Sequence, residues 1–320
     1  MAAVIPGGGD DPSDERRFRD ADRGQLLLIS GLVVAVSLVA LVVLLNASIY
    51  SENVATRGVE AADGEALEVR AAAVEETGAL IDGTNRAEPT NHSAAARAVR
   101  NGIGDLDAHL AGAYADRGGV THADLELLQN GSRVTGNLSS NATVAEGVER
   151  TRGFTLDLNT SSLEGTTQSQ AVNESFRVAF SNATDATNET REVYAYENDG
   201  NVTLAVGENG GDPVVVCETP IAGRDRIAID LTRERLGDEP CWGIWSGAAG
   251  DLNGSYDVAL TNAAGANGTV AATVRPTLAE TDSELTVSDA VYAATIDLRY
   301  RTADLRFETR IRVAPGEPDV

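Results

Sequence analysis

The sequence contains no lysine and is poor in several other residue types that carry chemistry. All 25 basic residues are arginines, and the 320 residues include three histidines, two cysteines, one methionine and 4 % aromatic residues. The absence of lysine excludes Schiff-base catalysis and the lysine of a Walker-type phosphate loop. The sequence also lacks a Gly-x-Ser-x-Gly nucleophile elbow and an HExxH metal motif. We therefore expect no enzymatic activity, no cofactor and no metal ion.

The remaining residues with ligand chemistry are isolated. His92, His109 and His122 are spaced too widely for a helical metal motif, so we interpret them as surface or structural side chains. A calcium site is an alternative for residues 198–201, Asn-Asp-Gly-Asn, but their spacing does not match an EF-hand loop. A β-turn explains these four residues better.

The chain is strongly acidic. Its 49 acidic residues give a formal net charge of −24, which argues against nucleic acid as a partner because phosphate binding needs a basic surface. This acidic, lysine-free composition resembles that of proteins from salt-loving archaea. In molar salt the Debye length falls to about 3 Å, so repulsion between surface carboxylates is screened. A generic acidic protein from a GC-rich genome is the alternative.

An apolar run follows an arginine-rich N-terminus. Residues 26–45 (LLLISGLVVAVSLVALVVLL) are 20 almost uninterrupted apolar residues, enough to cross a hydrocarbon core of about 30 Å. A cleaved secretory signal is the rival interpretation, but its apolar core spans only about 7–15 residues. Four arginines precede the run within residues 16–23. We therefore expect a cytoplasmic N-terminus and a single membrane span, with residues 52–320 outside the cell.

The junction Arg23-Gly24-Gln25 resembles the class III signal of archaellins and other archaeal type IV pilin-like proteins. The resemblance implies that a prepilin peptidase removes the leader after Gly24, so that Gln25 begins the mature chain. It also implies that the apolar helix is retained and packs laterally against other pilin-like subunits. Ile29 stands where bacterial pilins commonly have a glutamate. The whole chain further resembles uncharacterised haloarchaeal surface proteins that begin with an Asp-Arg-Gly-Gln leader.

Helical patterns follow the apolar run. Apolar residues recur every three, four or seven positions over residues 52–81, which predicts a first, amphipathic helix there. A second helix is predicted from Ser93 to Tyr114, with Ser93 as its N-cap. The two helices fit either a pilin-like stalk or a juxtamembrane hairpin. The predicted organisation is a cytoplasmic tail or leader (1–24), a transmembrane helix (25–50), a helical juxtamembrane region (51–120) and an extracellular β-rich domain (121–320).

From about residue 145 the apolar period changes to two, which is typical of strands. A hairpin is predicted over residues 194–206, with Asp199-Gly200 at its turn. The predicted fold class is α+β: an N-terminal transmembrane helix and helical stalk, then a mostly antiparallel, sandwich-like β domain. Further strands are predicted at Phe154–Leu158, Ser175–Phe180, Val214–Cys217, Arg226–Leu231, Tyr256–Leu260, Thr269–Val274, Ala293–Tyr300 and Leu305–Val313.

The two cysteines, Cys217 and Cys241, both lie in the β-rich region. An even number of cysteines in an oxidising compartment favours a disulfide, and two free buried thiols are the alternative. The only tryptophans, Trp242 and Trp245, follow Cys241, and we expect them to pack over the bridge rather than form an exposed patch.

Asn-x-Ser/Thr sequons are strongly enriched, since 12 of the 18 asparagines occur in one, whereas chance predicts about two or three. The enrichment predicts a glycosylated exterior, and incidental sequons in Thr/Asn-rich turns are the alternative. Asn46 is too close to the predicted span to be used. The candidate sites are Asn91, Asn130, Asn137, Asn141, Asn159, Asn173, Asn182, Asn188, Asn201, Asn253 and Asn267.

These features together predict a single-pass cell-surface glycoprotein that acts as a pilin-like structural or adhesive component. Its expected partners are the membrane and, through the apolar helix, other pilin-like subunits. The alternative is an unprocessed, membrane-anchored module that binds a ligand outside the cell.

Overall fold

The computed structural model describes residues 64–182, 189–250, 252, 254–278 and 285–318, together with Leu38 and Leu41. The predicted processing site Gly24-Gln25 lies outside the described residues. So does the predicted transmembrane helix, except for Leu38 and Leu41, which are helical and exposed. Among the described residues, none of the helices combines the length and the apolar character that crossing a membrane requires. The chain divides into two compact units, Met1–Glu65 and Ala66–Val320, and the second contains nearly all described elements.

Two helices open the second unit, and their apolar faces account for where they form. The first helix, α1, is described over residues 64–86 and therefore extends beyond the predicted end at residue 81. The second, α2, spans His92–Ala115 and buries a face spaced by three or four residues. The predicted N-cap at Ser93 is wrong. Asn91 caps α2 instead, because its side-chain oxygen accepts a hydrogen bond of 2.8 Å from the backbone N–H of Ala94.

Most of the remaining described residues form two antiparallel sheets. An eight-stranded sheet has the order β10-β9-β8-β3-β12-β1-β13-β14, and a six-stranded sheet has the order β2-β11-β4-β5-β6-β7. The strands are β1 (Val120–Asn137), β2 (Ala142–Val148), β3 (Arg150–Asn159), β4 (Phe176–Asn182), β5 (Thr190–Asn198), β6 (Asn201–Glu208), β7 (Val214–Pro220), β8 (Arg226–Asp230), β9 (Arg235–Leu236), β10 (Glu239–Pro240), β11 (Tyr256–Thr261), β12 (Thr269–Arg275), β13 (Thr286–Arg301) and β14 (Arg306–Val313). Shorter elements are a helix α3 (Gln168–Glu174), two 3₁₀ turns (Thr160–Ser162 and Ala263–Gly265) and a π-helical turn (Ser246–Gly250).

The mostly antiparallel, sandwich-like β fold is confirmed, and each predicted strand is present with shifted ends. The predicted hairpin is formed by β5 and β6. Asp199 and Gly200 have φ of 49° and 80° at its turn, as a type I′ turn requires.

The β structure begins at Val120, about 25 residues before the change in apolar period. The 18-residue β1 pairs with β13 along its length, but register shifts between Leu125 and Leu127 and between Gln129 and Asn130 interrupt the alternation. Gly131 allows the backbones to approach closely, because a Cβ there would lie 2.6 Å from the carbonyl oxygen of Val274. Because of these bulges, apolar residues do not alternate regularly along β1, so their periodicity does not predict the strand.

Two hydrophobic cores lie on the eight-stranded sheet. In the sandwich core, residues of β3, β8 and β12 pack against the six-stranded sheet. In the helix core, α1 and α2 pack against β1, β13 and β14. The helices therefore share a core with the β strands, and residues 66–318 form one layered unit of helices, large sheet and small sheet. On the far side of the six-stranded sheet, Ala171 of α3 packs with Tyr194, Tyr196 and Ala205.

Candidate functional site

The predicted disulfide is present between Cys217 and Cys241, whose Cα atoms are 5.6 Å apart. Cys217 lies in β7, at one edge of the six-stranded sheet, and Cys241 directly follows β10, at one edge of the eight-stranded sheet. The bridge therefore joins the two sheets at this side of the sandwich.

The two tryptophans have different environments. Trp245 is buried in the sandwich core, where its ring meets Phe180 edge to face at a centroid distance of 5.8 Å. Trp242 is 73 % exposed, so the expectation that both rings pack over the bridge is wrong for this residue. Between the two tryptophans, Gly243 has a φ of 93°, a backbone conformation that favours glycine.

No sequon asparagine in the described part of the chain is buried. Asn91, Asn130, Asn137, Asn141, Asn173 and Asn267 are exposed, and Asn159, Asn182 and Asn201 are partly exposed. Asn188 and Asn253 lie outside the described residues. By contrast, Asn85 has no sequon and is buried, and its side chain bonds both the N–H and the C=O of Val291 at 2.9 Å. Every described sequon asparagine can thus be reached by solvent, as can Asn101 and Asn209, which have no sequon.

The loop between β11 and β12 brings several sequons to one end of the sandwich. Asn137 pairs with Thr269 at the start of β12, and Asn141 accepts a hydrogen bond of 3.3 Å from the N–H of Ala263. Asn262 of this loop donates to the carbonyl oxygen of Asn173 at 3.1 Å.

Two further sequons join this group. The backbone N–H of Asn159 donates to the carbonyl oxygen of Ala266 at 3.3 Å. Asn201, at the start of β6, pairs with the end of β5. The end of β5 lies beside the start of β4, where Phe176 pairs with Ala195. We call this end of the sandwich the sequon end. It contains Asn137, Asn141, Asn159, Asn173, Asn201 and Asn267.

The chain enters the second unit at the opposite end of β1. Glu68, two residues after the start of this unit, lies 3.7 Å from Arg117, which closely precedes Val120. The 18 residues of β1 lead from there to Asn137 at the sequon end, a path of about 60 Å at 3.3 Å per residue. The fold therefore separates the entry of the chain from most described sequons.

A buried arginine joins α1, β3 and β13. The Arg152 side chain is 2 % exposed, and its Nη1 donates to the Asp82 carboxylate at 2.8 Å and to the Pro315 carbonyl at 3.0 Å. Its Nη2 donates to the Val291 carbonyl at 2.9 Å. Its Nε is buried without a hydrogen-bond partner in the described part of the chain. Burial lowers the pKa of Arg152, although Asp82 opposes this effect.

Glu317 anchors the segment after β14 to the same region. Its carboxylate accepts hydrogen bonds from the Tyr292 hydroxyl at 2.9 Å and from Arg150 at 3.3 Å, and it forms an ion pair with Arg312. Burial raises the pKa of Glu317, but the hydrogen bonds from Arg312 and Tyr292 outweigh burial and hold the pKa below its ordinary value. Because these groups satisfy one another, we interpret them as a structural junction.

A cavity of about 250 Å³ opens beside Arg152. Four arginines line it: Arg86 at the end of α1, Arg133 in β1, Arg152 in β3 and Arg233 after β8. We call it the arginine groove. Asp82 and Asp230 also line it, so its formal charge is positive although the chain carries −24. The sequence contained no signal for this grouping, because the four arginines are up to 147 positions apart.

The histidines take structural positions where their contacts are described. His92 lies between the Asp289 carboxylate and the Gly131 carbonyl, both at 3.0 Å, and so ties α2 to β13 and β1. His122 contacts Asp107 at 3.1 Å. These contacts hold both side chains within the fold.

Residues 20–152 match a family whose description is "family of unknown function (DUF7261)". The matched stretch includes the apolar segment, both helices, β1 and β2, and it ends at Arg152 in β3. No curated protein and no solved structure matches the chain.

Proposed function

We propose that this protein is a single-pass cell-surface protein that serves as a pilin-like structural or adhesive component. In this proposal residues 26–45 span the membrane, the N-terminus is cytoplasmic and the β-rich unit is extracellular. The observation that carries the proposal is the sequon end, where six solvent-accessible sequon asparagines gather on a domain closed by a disulfide. Both N-glycans and stable disulfides are made outside the reducing cytoplasm, which explains why the two features occur together.

The N-terminal sequence supports the membrane and pilin-like parts of the proposal. Arg23-Gly24-Gln25 precedes 20 apolar residues, in the order that a retained and processed pilin helix requires. Within this run Gly31 and Ala35 form a small-xxx-small pair, which lets a neighbouring helix approach closely. The proposed mechanism is lateral association through this helix, with the β-rich unit presented to the outside.

The glycans have a defined place in this proposal. An anchor in residues 26–45 precedes Ala66, where the chain enters the second unit, and the sequon end lies at the other end of β1. Bulky hydrophilic sugars there would shield that end from proteases and from broad protein contact. The entry end would remain available for subunit contact.

The mature N-terminus tests the pilin-like part. Mass spectrometry of the membrane protein should find a chain beginning at Gln25 in a wild-type host. A host without its prepilin peptidase should retain residues 1–24. A chain that begins before Gly24 in both hosts would contradict processing and leave a plain membrane anchor.

Removal of one sequon tests the glycan part. Thr269→Ala destroys the sequon of Asn267 without changing the asparagine, so the intact mass should fall by one glycan. Thr286→Ala is the matched control, since Thr286 is also an exposed strand residue but belongs to no sequon. Equal glycan content in both variants and the wild type would show that Asn267 carries no sugar.

A membrane-anchored binding module is the second candidate function, and the arginine groove favours it. A binding module needs no processing at Gly24, whereas a pilin-like subunit does. The N-terminal mass measurement therefore also separates the two candidates.

A further inference from the structure

The arginine groove lies on the face of the eight-stranded sheet that is turned away from the sandwich core. Phe154 and Val270 point into that core, and their strand neighbours Thr155 and Ala271 line the groove, because side chains alternate between faces. The end of α1 forms one wall and Pro315 contributes to another. The helices cover the sheet beside the groove and leave the groove itself open.

The acidic residues of the groove already have partners. The Asp82 carboxylate accepts from Arg152 at 2.8 Å. Asp230 accepts from the Thr232 hydroxyl at 3.0 Å and from the Arg233 N–H at 2.9 Å, and it lies 3.7 Å from the Arg233 guanidinium. The carboxylates of Asp82 and Asp230 are therefore already paired with neighbouring groups of the protein.

Two of the groove arginines form no ion pair with an acidic residue in the described part of the chain. Within the described part of the chain, neither Arg86 nor Arg133 has an ion-pair partner, although each lines the groove. Arg152 adds a guanidinium that is 2 % exposed, with one carboxylate partner and an unpaired Nε. The desolvation cost of the buried Arg152 charge is therefore only partly offset by its present partners. A negative charge bound beside the guanidinium would offset more of this cost.

We propose that the arginine groove binds a small oxyanion, a carboxylate or sulfate group, free or carried on a molecule of about one sugar unit. The planar fork of a guanidinium matches two oxygens of such a group and binds them with two parallel hydrogen bonds. The groove volume of about 250 Å³ is below the roughly 300–1,000 Å³ of sites for drug-sized ligands. The threonine hydroxyls of its floor, Thr155 and Thr273, can pair with the hydroxyls of a sugar. The groove does not depend on pilin-like processing.

Isothermal titration calorimetry of the full chain in detergent micelles tests this inference. The probes are sodium glucuronate, acetate and sulfate, with glucose as the neutral control, at an ionic strength held constant with sodium chloride. The salt concentration should be the lowest that keeps the protein folded, because chloride screens and competes. We expect glucuronate to bind and glucose to give no heat of binding.

The variant Arg86→Gln/Arg133→Gln keeps Arg152 and the fold in place, because both replaced side chains are at least partly exposed. It should bind glucuronate at least tenfold more weakly than the wild type. Arg306→Gln is the matched control, since Arg306 is an exposed arginine of β14 outside the groove. It should change the affinity less than twofold. Both variants should melt within a few degrees of the wild type.

The small anions identify the source of the ligand group. Acetate or sulfate that binds as tightly as glucuronate supports a free oxyanion as the ligand, and tighter binding of glucuronate supports an acidic sugar. Three outcomes would overturn the inference: no anion binds better than glucose, the double variant keeps the wild-type affinity, or Arg306→Gln loses as much affinity as the double variant.

Discussion

The sandwich core and the helix core share the eight-stranded sheet but differ in composition. In the sandwich core, the ring of Phe180 meets the rings of Phe154, Trp245 and Tyr256 edge to face at centroid distances of 5.8 to 6.1 Å. The described part of the helix core has one such pair, Tyr114 with Tyr300. Large rings fill the gap of about 10 Å between two facing sheets.

Small residues take the place of rings in the helix core. Ala66, Ala73 and Ala95 are buried there, and Gly102 lies directly against Leu80. Side chains of this size let two helices and a sheet approach closely. We therefore expect the sandwich core to be most sensitive to the loss of volume and the helix core to be most sensitive to added volume.

The largest effect should come from emptying the centre of the sandwich core. Phe180→Ala should lower the free energy of unfolding by about 3–5 kcal/mol, because it leaves a cavity among three other aromatic rings. Urea unfolding monitored by circular dichroism measures this change. Phe307→Ala is the control, since Phe307 is only partly buried at the helix core. An equal or larger loss in the control would contradict the comparison.

The disulfide should contribute the next largest effect, and only the sandwich has one. Replacing both Cys217 and Cys241 by alanine removes a loop constraint of about 25 residues and should cost about 3 kcal/mol. The midpoint of urea unfolding should fall accordingly. If this variant and the wild type unfold at the same urea concentration, the bridge is not stabilising.

Added volume should destabilise the protein more at a buried position of α2 than at an exposed position of the same helix. Ala95→Leu inserts three heavy atoms at a site with no exposed surface and should cost about 1–3 kcal/mol. Ala108→Leu is the matched control, because Ala108 of α2 is exposed, and it should change stability by less than about 0.5 kcal/mol. Thermal melts of both variants check the difference. Similar losses would show that α2 is not closely packed.

The smallest effect concerns the junction between the two cores and depends on pH. Since the folded state lowers the pKa of Glu317, the ionised carboxylate stabilises the fold above the unfolded-state pKa of about 4.3. This contribution is lost as the pH falls through the lower pKa of the folded state. Glu317→Gln should therefore cost about 1 kcal/mol at pH 7, and its difference from the wild type should shrink toward pH 2. A difference that stays constant over urea titrations from pH 7 to pH 2 would contradict this role.

Local patterns were sufficient for much of the fold. The apolar spacing predicted α1 and α2, Asp199-Gly200 predicted the β5–β6 hairpin, and most strands were found from their alternation. These features depend on neighbouring residues, so a short window of sequence contains their cause. β1 was missed because its bulges disrupt the alternation, and the Asn91 cap was missed because Ser93 is an equally good capping residue.

The sequence by itself determined where the sequons and the two cysteines lie, and that an apolar segment precedes a β-rich chain. Only the tertiary structure decided that six sequons meet at one end, that Arg152 is buried beside Asp82, and that four distant arginines line one groove. The physical reason is that strand order and helix packing bring together residues that are far apart in the chain. No local pattern of charge or polarity encodes those neighbours.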